Sequence, residues 1–116
     1  MQEKRKFRRF PFGLNAQYAC SSEKSGHCKL IDISREGLAI HLHMPEKISA
    51  DTKIVLLIDC PSRAKPIQCL VHLKWIKKLE SKADYNYKAG GEFVKIEPDS
   101  KTSLLELAYG SWYKKV

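Results

Sequence analysis

The stretch HCKLIDISREGLAIHLHM, residues 27–44, decides the fold. Its second half alternates: Leu38, Ile40, Leu42 and Met44 share one side, and Ala39, His41 and His43 share the other. That period of two marks a strand with one buried face. Its first half, His27–Ile33, is a second apolar run of strand length. The chain must reverse between them, through Asp32-Ile33-Ser34-Arg35-Glu36-Gly37, so the two runs form an antiparallel hairpin. The reversal lacks the Asn-Gly or Asp-Gly pair that usually makes a tight turn. Asp and Ser side chains commonly bond nearby backbone groups and so fix turns. Taken alone, these residues favour that fastening role over a binding site. If Leu38, Ile40 and Leu42 face inward, so should Ile31 and Ile33, which leaves Asp32 and Ser34 side by side on the outside. Leu30 shares their parity and breaks the pattern. Gly37 permits a positive φ, or lets a ligand approach the backbone.

Working outward, strands are expected over Phe10–Cys20, His27–Ile33, Gly37–Met44, Lys53–Cys60, Ile67–Leu79 and Tyr87–Ile96. The polar segments Ser21–Gly26, Pro45–Thr52, Pro61–Pro66 and Glu80–Asn86 separate them. In the fifth strand Val71, Leu73 and Trp75 share a face. The end of the chain changes period. Asp99 or Ser100 is a plausible N-cap, and Leu104, Leu107, Ala108 and Trp112 form a helical stripe over about 99–115. Gly110 weakens that helix slightly. Six short strands followed by one helix predict an all-β fold: a six-stranded antiparallel barrel with a C-terminal helix packed on one end. Closure also removes the exposed edges of a small sheet. The 116 residues suit one domain with one modest core.

Composition narrows the function. The net charge is +8, and residues 1–9, MQEKRKFRR, carry half of it, with five basic residues against Glu3. That segment reads as a flexible basic arm ahead of a barrel domain at 10–116, and it points to an anionic partner. No apolar run approaches bilayer length. Pro11, Asn15 and Gln17 interrupt any signal-peptide core, so a cytoplasmic protein is expected. Cys20, Cys28, Cys60 and Cys69 lack CxxC spacing. They read as reduced, mostly buried thiols rather than zinc ligands. His41 and His43 share a strand face, but no HExxH or second ligand cluster accompanies them, so no metal or other cofactor is expected. No nucleophile elbow or P-loop pattern appears, and catalysis is not expected.

The arm changes the weight of the turn. Arg5 and Arg9 lie four apart, and the planar fork of arginine suits phosphate and the O6/N7 edge of guanine. Asp32 can accept from guanine N1–H and N2–H, and Ser34 can bond a phosphate or base edge. A tethered arginine pair and an acid-bearing surface make a clamp for a guanine nucleotide.

Arg5-Lys6-Phe7-Arg8-Arg9 matches RxxxR, and Asp32-Ile33-Ser34-Arg35-Glu36-Gly37 matches [D/N]xSxxG. In this order the two resemble the PilZ domain family, which binds the bacterial second messenger cyclic di-GMP. VHLKW (Val71–Trp75), AGGEF (Ala89–Phe93) and the C-terminal helix agree, so the resemblance covers essentially the whole chain. It implies that Arg5 and Arg9 grip phosphates and guanine edges, that Asp32 and Ser34 contact guanine, and that Gly37 sets backbone geometry. Lys4, at the position that tunes ligand stoichiometry in the family, and Arg8 are additional candidates. It implies a bacterial, non-enzymatic receptor whose ligand orders the arm over the barrel. The altered surface would meet an unidentified effector of motility, secretion or polysaccharide machinery. Because the arm starts so near the first residue, the readout is expected in this domain's own surface or assembly. Two alternatives stand beside this reading: a single-stranded nucleic-acid binder on an OB-like barrel, which the clustered charge disfavours, and a PilZ-like interaction module without ligand.

Overall fold

A computed structural model describes residues 10–20, 24–44, 48–61, 63–80 and 85–114. Six strands and one helix occur among them: β1 (Phe10–Cys20), β2 (Ser25–Ile33), β3 (Gly37–Leu42), β4 (Lys53–Ile58), β5 (Ile67–Lys78), β6 (Tyr87–Lys95) and α1 (Pro98–Lys114). Every neighbouring pair is antiparallel, and the order β1-β2-β3-β6-β5-β4 closes into a barrel through β1 and β4. The expected all-β barrel with a C-terminal helix is therefore the fold. The basic arm, with Lys4, Arg5, Arg8 and Arg9, lies outside the described residues.

Inward positions fill the barrel with branched aliphatics. Leu30, Leu38, Ile40, Leu42, Ile54 and Leu56 are all fully buried. Closed packing of this kind leaves the outer face free to vary chemically. Cys28 and Cys69 lie in the same core, and burial pushes each thiol up to about 12. Cys20 is half-buried, and all four thiols are free.

The helix begins one residue earlier than the sequence suggests. Pro98 takes its first position, where a missing N–H costs nothing, and Lys101 N–H donates to the Glu97 carbonyl at 3.0 Å. Glu97 is thus the cap, in place of Asp99 or Ser100. Ser100, Leu104 and Ala108 form the buried stripe, with Leu107 half-buried beside it. The side chain of Trp112 lies outside the described residues. The helix packs on β1 and β2, and Leu104 and Ala108 join the barrel core.

Two irregularities set what the outer face displays. The β2–β3 register slips between Leu30 and Asp32, and the β5–β6 register slips between Leu73 and Trp75. Each is a bulge, with one extra residue on one strand. At the first, Leu30 turns fully inward and Ile31 is left half-buried, which corrects the expected inward Ile31 and removes the parity conflict at Leu30. At the second, Val71 and Leu73 stay inside while Trp75 moves to the outside, against the expected single face.

Candidate functional site

The β2–β3 reversal is a two-residue loop. Ser34 N–H donates to the Gly37 carbonyl at 2.8 Å across Arg35 and Glu36. Neither loop residue has a positive φ, so this is not the primed turn that hairpins of this length prefer. External bonds hold it instead. Phe93 N–H on β6 donates to the Glu36 carbonyl at 2.8 Å, and Lys101 Nζ on α1 donates to the Arg35 carbonyl at 3.1 Å. The same ammonium sits 5.8 Å from the Phe93 ring. The turn is therefore fastened to β6 and to the helix.

Within it the motif residues separate. Asp32 pairs with Pro11 on β1 and Ala39 on β3, on the outward side of the sheet. Ser34 is 3% exposed rather than outward-facing, and its hydroxyl donates a long bond, 3.5 Å, to the Gly37 carbonyl. Gly37 is buried and has a negative φ. A Cβ there would lie 2.0 Å from the Gly91 carbonyl oxygen. The approaching group at this glycine is the neighbouring strand, neither a left-handed turn nor a ligand.

Asp32 opens a row that crosses four strands: Asp32 on β2, Ala39 on β3, Gly90 on β6 and Trp75 on β5. Three inter-strand steps make it about 14 Å long. Its middle carries no bulky side chain: Ala39 has a single methyl group and is itself covered, and Gly90 has no side chain. A Cβ on Gly90 would meet the Trp75 ring at 2.5 Å, so the indole lies directly over that glycine. Lys77 Nζ lies 5.8 Å from the Trp75 ring centroid. Chemically this is a carboxylate at one end, a low floor, and an aromatic surface with a cation at the other. A purine could stack on such a surface while its donor edge meets a carboxylate. Sequence reading placed Asp32 here but missed Trp75 and Gly90; the paired Gly90-Gly91 beside an isolated tryptophan was the available signal.

Cations surround the row. Lys74 approaches Glu92 at 4.0 Å on the exposed surface. One register step along, His41 lies between Lys29 and Lys88. Burial first, then Lys88 and Lys29, hold His41 below the ordinary histidine value. No group of three or more metal-ligating side chains occurs among the described residues. No helix among them is long and apolar enough to cross a membrane.

Comparison with known proteins agrees with this fold. The family model described as PilZ domain matches residues 3–110. The inhibitor of motility MotI/DgrA from Bacillus subtilis superposes with a TM-score of 0.77 at 18% identity, covering 99% of this chain and 54% of that one. The PilZ domain of YcgR from Escherichia coli, solved with c-di-GMP, gives 0.73 at 12% identity, covering 97% and 94%. MrkH from K. pneumonia, solved as a c-di-GMP complex, gives 0.71 at 17% identity, covering 98% and 57%. The chain thus spans about half the length of MotI and of MrkH. No curated protein sequence matches it.

Proposed function

The chain belongs to the PilZ domain family, and we propose that it is a cyclic di-GMP receptor, not an enzyme, which clamps its ligand between the arginine arm and the outer face of the barrel. The observation that carries this reading is the cross-strand row from Asp32 to Trp75, sited beside the motif turn. Arg5 and Arg9 supply the phosphate- and guanine-binding forks, with Lys4 and Arg8 as flanking cations. Asp32 accepts from the guanine edge, and Trp75 offers a stacking surface. Ser34 and Gly37 enter mainly as the residues that shape the turn presenting Asp32. Ligand neutralises the arm, the arm orders over the barrel, and the new surface meets a cytoplasmic effector in motility, secretion or polysaccharide export.

Calorimetry with cyclic di-GMP tests this. Wild type should bind; Arg5→Ala and Arg9→Ala should each weaken binding at least tenfold with an unchanged melting temperature. Unaltered affinity in both variants would defeat the clamp. A second reading, single-stranded nucleic-acid binding, draws support from the outward Trp75 and the nearby lysines. A steep loss of oligonucleotide affinity with salt, without cyclic di-GMP binding, would favour it.

A further inference from the structure

One register step beyond the Asp32–Trp75 row, the outer face carries a second row: Lys29 on β2, His41 on β3, Lys88 on β6 and Lys77 on β5. Three of its four members are lysines, and it contains no acid. Like charges placed directly across adjacent strands destabilise a sheet. Here the neutral imidazole of His41 separates two of them. The stem of Lys29 lies across Gly13, its Cε 2.7 Å from where a Cβ on that glycine would stand. Lys77 leans toward the Trp75 ring. Tyr85 approaches His41 from the end of the barrel, with ring centroids 6.2 Å apart. The outcome is a half-buried imidazole with Lys88 opposite it on β6 and, on the β2 side, Lys29, whose long stem carries its ammonium over β1.

We propose that Lys29, His41 and Lys88 form a binding subsite for a phosphoryl group, distinct from the arginine arm and from the Asp32–Trp75 row. A carboxylate would offset one of the opposed charges; a phosphate monoester, at about −1.5 to −2, offsets two and offers three acceptor oxygens. Lysines serve as movable point charges toward such a group, and an imidazole between them becomes a donor once an anion removes the penalty on its protonation. The group is therefore a terminal phosphate of a separate ligand, since each phosphodiester of a cyclic dinucleotide carries one negative charge and two free oxygens.

His41 reports occupancy directly. Its ring signals, assigned by their loss in His41→Gln, are followed through a pH titration in pyrophosphate and in sodium chloride of equal ionic strength. Pyrophosphate should raise the His41 midpoint by at least about 0.5 pH unit beyond chloride, a roughly threefold tighter hold by the protonated form. His27, His43 and His72 should move alike in the two salts. The Lys29→Gln/Lys88→Gln double variant should lose the excess while keeping a native amide spectrum, and Lys88→Gln alone should lose part of it. An equal rise in chloride, the same excess at all four histidines, or an excess that persists in the double variant would overturn the proposal. Cyclic di-GMP, whose phosphates are diesters, should give no such excess, and a rise matching that of pyrophosphate would overturn the assignment to a terminal phosphate. A rise with pyrophosphate alone supports it, and calorimetric binding of cyclic di-GMP is scored independently.

Discussion

Replacing Gly37 by alanine separates two roles for the motif glycine. A Cβ at this position would stand 2.0 Å from the Gly91 carbonyl oxygen, 3.0 Å from its carbon and 3.2 Å from Glu92 Cα. All three are backbone atoms, so no side chain can swing away. A relaxed carbon–oxygen contact needs about 3.3 Å, and β3 must therefore part from β6 by about 1.3 Å. The Phe93-to-Glu36 bond, now 2.8 Å, would stretch beyond hydrogen-bonding range, and the adjoining ladder bonds would weaken with it. Two to three lost bonds at about 1 kcal/mol each, with residual strain, give a loss of about 2–4 kcal/mol. That is a large part of the stability of an ordinary domain, about 5–15 kcal/mol. In a urea melt followed by tryptophan fluorescence the midpoint should fall by about 1 M or more. Gly110→Ala is the sign control: nothing lies within 4 Å of a Cβ at that helical position. It should raise stability by about 0.5–1 kcal/mol. A Gly37→Ala protein as stable as wild type would refute the reasoning, and if it also lost cyclic di-GMP binding the glycine would act on the ligand instead of on β6.

Gly90→Ala meets a side chain, not backbone, so Trp75 should be displaced, at a cost of about 1 kcal/mol, with a red-shifted emission spectrum; unchanged emission would contradict the seat described for the indole. Native protein at pH 8 should label first at Cys20, whereas Cys28 and Cys69, held near 12, should react only on unfolding, and fast labelling of either would contradict their burial. His41 lies below its ordinary 6.5 when folded, so the unfolded chain takes up the proton first. Its contribution is level above pH 6.5 and stability is lost as pH falls through that value. The stability difference between wild type and His41→Gln should change in that sense between pH 7.5 and 5, and a flat difference would refute the shift.

Much of the barrel was legible because its interior obeys a rule with few exceptions. Leu38, Ile40 and Leu42 announce β3 by parity, and β4 and β5 repeat the device with Ile54 and Val71. The strand limits of β1 were read to the residue, and those of the others to within about two. Caps were less legible: Asp99 and Ser100 are both good N-cap residues, yet Pro98 already satisfies the first helical position. The motif turn was recognisable as a turn, but the burial of Ser34 was not. The turn that holds Ser34 is fastened by bonds to Glu36 and Arg35 from β6 and α1, which lie more than fifty residues away in sequence.

The bulges explain why the outer face was the hardest part to foresee. Alternation is a local signal, and an inserted residue leaves no mark when both flanking residues suit either environment. Leu30-Ile31 is such a pair, since either could be the buried one. At Lys74-Trp75 a continued alternation from Leu73 would turn the tryptophan into the core. Each slip reverses the parity of the residues beyond it on the strand. Without the first, an inward Leu30 would carry Asp32 inward two residues later, placing a carboxylate among aliphatic side chains at a cost no neighbour there could offset. Without the second, Trp75 would compete for volume with Leu73 and Ala89. With both, the carboxylate and the indole emerge at opposite ends of one row, and only Ala39 and Gly90 lie between them. The irregularities that defeat a period-two reading are thus the features that create the candidate binding surface, and regular pairing through Ile31 or Lys74 would turn Asp32 or Trp75 inward and carry Ile33 or Ile76 out of the core with it.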